Sequence, residues 1–253
     1  CAGQSNMVMP LNGFDYCPIS DSNNVIADAP NHPGIRMVTI KPTVKLSPQE
    51  YAEGSWQQPT TENAPKFSAA AYHYALTLQR TLQIPIGVIT CAWGGSRVEG
   101  WLPKEILQTY KDEDLTLIGS DKTPVYLQSM LMYNGILYPC HKYTIKGFIW
   151  YQGESNVRSS RTYAERLATM VKHWRSIWKQ GDLPFYYVET VPFACEYKED
   201  GYIGALLREA QQKALSLIPN SGMIGTNDLV ETYEAPQVQP HNKKGIGERL
   251  AYM

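Results

Sequence analysis

The chain has 253 residues, 43% of them hydrophobic and 19% charged, so it is long enough to bury a sizeable core. A formal net charge of −1 gives no overall field that would favour a nucleic acid or an anionic membrane surface. No apolar run in the sequence reaches the roughly 18 to 20 residues of a membrane span. We expect one domain over residues 1–253 and a small neutral or mixed-charge partner.

The first polar turn of the chain surrounds Ser5, with Gly3 and Gln4 before it and Asn6 after it. A serine hydroxyl is a weak nucleophile unless a base takes its proton, so a nucleophilic serine sits on a tight, accessible turn. The segment predicts such a role for Ser5, with amide donors from Gln4 and Asn6 close by. Polar turns select the same residue types for backbone reasons, so a structural role stays open at this point.

Strand and helix patterns then alternate along the chain. Residues 8–34 and 41–65 are rich in turn residues and predict irregular loops. Short apolar or alternating runs predict strands at 35–40, 86–91, 145–150, 185–191 and 222–226. Helical spacing predicts helices at 67–82, 122–142, 163–178 and 205–217, and from residue 247 to the end. This order predicts an α/β protein with a mostly parallel sheet and helices on both faces.

Two further glycine-bearing motifs directly follow predicted strands. Trp93-Gly94-Gly95-Ser96 follows strand 86–91, and Gln152-Gly153-Glu154 follows strand 145–150. Ligands of open parallel sheets bind outside the carboxyl ends of the strands, so these turns are expected to converge on Ser5. Paired glycines also let a backbone N–H approach a ligand closely, although an ordinary Gly-Gly turn is the alternative.

Four motifs of this sequence carry a resemblance to a known family. They are G-Q-S-N-M at 3–7, W-G-G-S at 93–96, I-W-Y-Q-G-E-S-N at 149–156 and N-K-K-G-I-G-E-R-L-A at 242–251. In order and spacing they resemble the sialate O-acetylesterase-like carbohydrate esterases of the SGNH hydrolase superfamily. The resemblance covers nearly the whole chain and implies a three-layer α/β/α sandwich with the SGNH (flavodoxin-like) hydrolase fold. It also implies removal of an acetyl group from sialic acid or a plant polysaccharide through an acyl-serine intermediate.

The same resemblance implies roles for individual residues. Ser5 would be the nucleophile, and the oxyanion hole would combine the backbone N–H groups of Ser5 and Gly95 with the Gln152 carboxamide. Further residues would support the substrate or the site: Gln4, Asn6, Trp93, Glu154 and Gln239.

The fourth motif departs from the family pattern, which reads Asp-x-x-His-Pro-x-Asn-Lys. Here Gln239 stands at the histidine position and Pro236 at the aspartate position. Glutamine has no basic nitrogen and cannot accept the serine proton. In one interpretation His241 serves as the base, oriented by Asp228 or by a nearby glutamate (Glu231 or Glu234). In the other, the site is impaired and the chain is a carbohydrate-binding protein on the same scaffold.

The sequence predicts no metal or organic cofactor, because it contains no H-E-x-x-H, no clustered Cys/His set and no phosphate-binding loop. Its five cysteines lack C-x-x-C spacing, which favours buried thiols or a single bridge such as Cys1–Cys17. We expect both ends to be trimmed, with no strand before the Ser5 turn. We also expect an exported protein, periplasmic or extracellular, that acts on an acetyl ester.

Overall fold

The computed structural model describes residues 1–193, 202–234 and 236–253. Within these ranges one six-stranded sheet has the order β2-β3-β1-β4-β5-β6, and every neighbouring pair is parallel. Its strands are β1 (Ala2–Gly3), β2 (Ile35–Thr39), β3 (Ile86–Ala92), β4 (Phe148–Tyr151), β5 (Phe185–Val188) and β6 (Ser221–Ile224).

Helices follow most of the strands. Those in the described ranges are α1 (Ser5–Val8), α2 (Ser22–Asp28), α3 (Ala69–Leu82), α4 (Lys104–Leu107), α5 (Ser160–Trp178), α6 (Ile203–Leu217) and α7 (Lys243–Ala251). None of them combines the length and apolar composition that crossing a bilayer requires.

The helices form two layers, one on each face of the sheet. Helices α3 and α7 pack together over one face, and α5 and α6 pack together over the other. Each helical layer packs its apolar side chains against the strands and forms a separate hydrophobic cluster. The cluster beneath α5 contains the fully buried side chains of Trp101, Trp150 and Trp174. The architecture is therefore the three-layer α/β/α sandwich that the sequence predicts, with a sheet that is parallel throughout.

The predicted strands and most predicted helices are confirmed with small shifts of their ends. The prediction that no strand precedes Ser5 is wrong. β1 is only two residues long, but it lies between the longer strands β3 and β4 and bonds to both. The backbone of Cys91 donates to the Cys1 carbonyl at 2.8 Å, and Gln4 donates to the Tyr151 carbonyl at 3.0 Å.

Two other predictions need correction. The predicted loop 8–34 contains α2. The predicted helix 122–142 is instead a 3₁₀ turn at Val125–Leu127, a π-helical turn at Tyr133–Leu137 and a 3₁₀ turn at Tyr138–Cys140. Proline at 124 and 139 limits a regular helix, and loop 41–45 lies so close that a β-carbon on Gly135 would be 2.1 Å from the Thr43 carbonyl oxygen.

The strand order places the centre of the sheet at β1. The chain runs from β1 outward to β2 and back to β3 on one side, then crosses to β4, β5 and β6 on the other. The carboxyl ends of β3, β1 and β4 therefore meet at a topological switch point, where ligands of open α/β sheets bind.

Candidate active site

Ser5 is the first residue of α1, and only Gln4 separates it from the end of β1. Gly3 makes this turn possible, since its φ of +144° and its closeness to β4 both exclude a side chain. A β-carbon there would lie 2.1 Å from the Tyr151 carbonyl oxygen. The Ser5 side chain is only partly buried, so its hydroxyl faces the end of the sheet where a substrate can reach it.

The Trp93–Ser96 turn lies beside Ser5, as the sequence predicts. The Trp93 backbone donates to the Gly3 carbonyl at 3.0 Å, and a β-carbon placed on Gly94 would be 3.8 Å from the Ser5 Cβ atom. Gly95 has a φ of +75°, a conformation that glycine adopts without strain. The Tyr126 ring covers Gly95 so closely that a β-carbon there would be 2.7 Å from its Cδ2 atom.

Among the residues that the structure describes, the backbone N–H groups of Ser5 and Gly95 have no acceptor. Ser5 occupies the first position of α1, where an N–H group has no partner within the helix. In the part of the chain that the structure describes, the Gly95 N–H also finds no acceptor. Donors of this kind on adjacent turns are what an oxyanion site requires.

The third turn, at the end of β4, is joined to the first. The Gln4 side-chain oxygen accepts hydrogen bonds from the backbone of Gly153 at 3.2 Å and of Ser155 at 3.4 Å. Gln4 is 3% exposed, so its carboxamide fixes these turns rather than facing a ligand.

Gln152 does not face the serine. Its amide nitrogen donates to the Ser96 carbonyl at 3.0 Å and to Asn156 Oδ1 at 2.8 Å, which uses both of its hydrogens. Its oxygen accepts from the Tyr163 hydroxyl at 3.0 Å, and the side chain is fully buried. The expected oxyanion donor is therefore a support that ties the turn after β4 to the turn after β3.

Asn156 is the centre of this support, although sequence reasoning gave it no role. Besides the bond from Gln152, its oxygen accepts from the Val98 backbone at 2.9 Å, and its nitrogen donates to Glu99 at 3.0 Å. Asn156 is the last residue of the motif I-W-Y-Q-G-E-S-N, and this position in the motif is the sequence feature that could have indicated its role. Buried Glu99 carried no signal, because its partners come from distant parts of the chain.

Gln239 contacts the candidate nucleophile directly. Its Nε2 atom donates to Ser5 Oγ at 3.0 Å, and its exposed fraction is 7%. Its backbone oxygen accepts from the Cys17 thiol at 3.0 Å, and the carbonyl of Val238 accepts from Asn6 Nδ2 at 2.7 Å. These bonds hold the loop with Gln239 against Ser5, so the hydroxyl receives a hydrogen bond where a base would have to accept one.

The rest of the fourth motif is structural. Asn242 caps α7 by accepting from the Gly245 backbone at 2.9 Å. Lys243 is fully buried and donates to Asn6 Oδ1 at 2.6 Å, while Asn6 Nδ2 also donates to Glu154 Oε1 at 2.8 Å. Burial lowers the pKa of the Lys243 ammonium to about 7 and raises the pKa of the Glu154 carboxyl above its ordinary value.

The expected triad partners, His241 and Asp228, contact residues other than Ser5. The Nδ1 atom of His241 is 3.6 Å from Glu234 Oε1, and its ring packs near Tyr233 with centroids 5.9 Å apart. The exposed Asp228 carboxylate is paired with Arg249 at 2.8 Å, so it does not orient His241. Pro236 is exposed and offers no carboxylate in place of the family's aspartate.

Three of the remaining histidines find partners away from Ser5. His32 contacts Asp28, His141 contacts the Tyr138 carbonyl and His173 contacts the Tyr133 hydroxyl. His73 is buried in α3, which lowers its pKa to about 4. Among the described residues no group of three or more His, Cys, Asp or Glu side chains is arranged to hold a metal ion.

A parallel α/β/α sandwich with a serine just after its central strand is the arrangement found in SGNH hydrolases. Within this class, a family model described as carbohydrate esterase, sialic acid-specific acetylesterase matches residues 1–253, and the chain belongs to this family.

Relatives with assigned activities support this placement. The sialate O-acetylesterases of Pongo abelii and Homo sapiens are each 25% identical over 99% of this chain. The chain spans about half of their length, 51% in both cases.

Solved structures resemble this fold at two levels of similarity. A carbohydrate acetylesterase from Xanthomonas citri is 31% identical with a TM-score of 0.83, over 99% of this chain and 53% of its own. An Arabidopsis thaliana protein shares the fold at 18% identity and a TM-score of 0.57, over 99% of this chain and 94% of its own.

Proposed function

We propose that this chain carries a carbohydrate O-acetylesterase site whose turnover is low because Gln239 occupies the position of the serine's base. The single observation that carries the proposal is the 3.0 Å hydrogen bond from Gln239 Nε2 to Ser5 Oγ. The substrate is an acetyl ester on a sugar, such as O-acetylated sialic acid or an acetylated plant polysaccharide. The names of the relatives support this substrate class.

In the proposed reaction the ester carbonyl lies over Ser5 with its oxygen toward the N–H groups of Ser5 and Gly95. Attack by Oγ, whose proton passes to a water molecule, gives a tetrahedral intermediate that these donors stabilise. The sugar oxygen then leaves with a proton from water as an alcohol, and a second water hydrolyses the acetyl-serine that remains. Gln239 can hydrogen-bond Oγ but cannot take its proton. A site without its base retains a residual acceleration of about 10³ to 10⁴ over water.

A second candidate is the esterase with His241 as a displaced base. The observation that favours it is the carboxylate of Glu234, whose Oε1 atom lies 3.6 Å from His241 Nδ1 and could orient the ring. Glu234 takes the place of Asp228 in this version, because Asp228 is paired with Arg249. The His241 backbone N–H also donates to Glu234 at 2.7 Å, which holds the backbone of His241 beside this carboxylate. His241 lies two positions after Gln239, the residue that contacts Ser5.

The test is hydrolysis of p-nitrophenyl acetate and of an O-acetylated sialic acid by Gln239→His. An imidazole at this position can act as a general base, which typically contributes 10² to 10⁴-fold, so we expect a gain of at least about tenfold. Ser5→Ala should remove the activity of both the wild type and the variant. An unchanged rate in Gln239→His, with the fold intact by circular dichroism, contradicts the proposal.

His241→Ala separates the two candidates. We expect it to leave the wild-type rate unchanged, because Gln239 rather than His241 is hydrogen-bonded to Ser5 Oγ. A loss as large as that of Ser5→Ala identifies His241 as the base. If Ser5→Ala has no effect on either ester while acetylated sugar still binds by calorimetry, the chain is a binding protein on an esterase scaffold.

A further inference from the structure

Two cysteine thiols face each other in the core below the Trp93 turn. Cys91 lies near the end of β3, and Cys140 closes the 3₁₀ turn Tyr138–Cys140. Their Sγ atoms are 3.8 Å apart, and both also contact the Ile136 carbonyl oxygen, at 3.7 and 3.5 Å. Both are free thiols, 3% and 4% exposed.

The two sulfurs are in van der Waals contact, although they are not bonded. A disulfide is about 2.05 Å long, so the atoms must close only the difference from 3.8 Å. Each thiol is directed at the other and at one shared carbonyl oxygen. A disulfide between them requires both side chains to rotate until the sulfurs meet.

We propose that Cys91 and Cys140 form a disulfide when the protein meets a low-molecular-weight disulfide such as oxidised glutathione. The Cys140 thiolate attacks one sulfur of the oxidant, which forms a mixed disulfide and releases one thiolate. The Cys91 thiol then loses its proton to solvent and attacks the Cys140 sulfur, which releases the second thiolate. Two cysteine thiols are oxidised, and one oxidant disulfide is reduced to two thiols.

The oxidant has a route to the pair. Cys91 and Cys140 line a cavity of about 470 Å³. Trp56 and Tyr143 at its rim are 42% and 52% exposed, so the cavity reaches the surface. Interaction with the Cys91 thiol lowers the pKa of the Cys140 thiol, so we take Cys140 as the first nucleophile.

The cross-link would act on both stability and the candidate site. It closes a loop between residues 49 positions apart, which restricts the unfolded chain. It would also tie β3, immediately before Trp93, to the segment that ends at Cys140. An oxidising compartment, the kind expected for an exported protein, would favour the cross-linked form.

The test compares the reduced full chain with the same chain after incubation with oxidised glutathione. Each sample is quenched in acid, denatured with an alkylating reagent and digested without reductant. We expect mass spectrometry to find the Cys91 and Cys140 peptides joined, with two fewer alkylated cysteines, and we expect Tm to rise by roughly 5 °C or more. Alkylation of both cysteines in the treated sample overturns the proposal, as does a link from either one to Cys1, Cys17 or Cys195.

Two variants make the thermal result specific. Cys140→Ser should abolish both the joined peptides and the oxidation-dependent rise in Tm. Cys17→Ala should keep both, because the Cys17 thiol is directed at the Gln239 carbonyl instead. If Cys140→Ser keeps the rise in Tm, another pair is responsible and the assignment is wrong. Esterase assays are not needed, so a failure here is distinct from a failure of the proposed function.

Discussion

At the scale of single residues, Gln239 and the histidine of the family pattern are similar in reach but opposite in effect on a serine. A neutral imidazole nitrogen accepts the Oγ proton, whereas an amide nitrogen only donates. The bond from Gln239 Nε2 to Ser5 Oγ at 3.0 Å therefore gives the hydroxyl a donor but no proton acceptor. The same loop is fixed by Cys17 and Asn6, so the substitution has not displaced the motif.

Lys243 is a residue whose burial should make stability depend on pH. Its folded pKa of about 7 lies below the ordinary value of 10.5, so between these values the unfolded chain binds more protons than the folded chain. The free energy of unfolding therefore rises with pH across this window, by at most about 1.4 kcal/mol per pH unit. Below pH 7 the lysine is charged in both states and its burial penalty is fully present.

We predict that this rise is reduced in Lys243→Met. Loss of the bond to Asn6 adds an offset that does not depend on pH, while the other titrating groups are common to both proteins. Urea unfolding of both proteins from pH 6 to 10 measures the free energy of unfolding of the wild type and of Lys243→Met at each pH. Parallel curves for wild type and variant contradict the shifted pKa. Lys244→Met, at an exposed neighbour, is the matched control and should follow the wild type.

At the scale of elements, the two-residue strand β1 determines where the site lies. It can insert between β3 and β4 because Gly3 leaves no side chain to strike the Tyr151 carbonyl. The hydrogen bonds of Gln4 to Tyr151 and of Trp93 to Gly3 then bring three turns together. A larger residue at position 3 would separate β1 from β4.

We predict that Gly3→Ala lowers the free energy of unfolding far more than Gly181→Ala does. Both glycines have positive φ, but a β-carbon on Gly3 would lie 2.1 Å from a backbone oxygen, whereas one on Gly181 has nothing within 4 Å. Backbone strain alone costs about 1 kcal/mol, and the clash at Gly3 should add several kcal/mol. Urea denaturation of both variants measures the free energy of unfolding. Equal losses of this free energy in the two variants would show that the close contact at Gly3 does not destabilise the fold.

At the scale of the whole molecule, a buried ionic cluster connects the α5 layer to the turn after β3. Arg166 of α5 contacts Glu99 at 2.6 Å and Asp112 at 2.7 Å, and its guanidinium lies 4.7 Å from the centre of the Tyr110 ring. Glu99 in turn accepts from Asn156, which is bonded to Gln152. The cluster thus links the helical layer to the supports of the candidate site.

We predict that Arg166→Met destabilises the fold by about 3 to 5 kcal/mol, because it leaves Glu99 buried with less compensation. Lys213→Met removes an exposed pair with Glu165 and should cost about 1 kcal/mol or less. Denaturant midpoints give both values. Adding Glu99→Gln to Arg166→Met should recover part of the loss, and the absence of recovery would mean that lost packing, rather than the unpaired charge, causes it.

Local patterns in the sequence predicted much of this architecture. Apolar runs of strand length and helical spacing identify β2 to β6 and the long helices, because each pattern reflects which face of one element is buried. They failed at β1 and at 122–142, where neighbouring strands and a crossing loop decide the backbone. The sequence also identified the motif around Ser5 and the glutamine at position 239, since both depend on residue type alone.

The sequence by itself determined the α/β class, the candidate nucleophile and the absence of a basic nitrogen at position 239. Only the tertiary structure decided that Gln239 contacts Ser5, that Gln152 supports the turns and that His241 lies by Glu234. The physical reason is that a hydrogen bond depends on atoms a few ångströms apart. Residues that meet in this site are separated by up to 237 positions along the chain, and the packing of the whole sheet sets the distance between them.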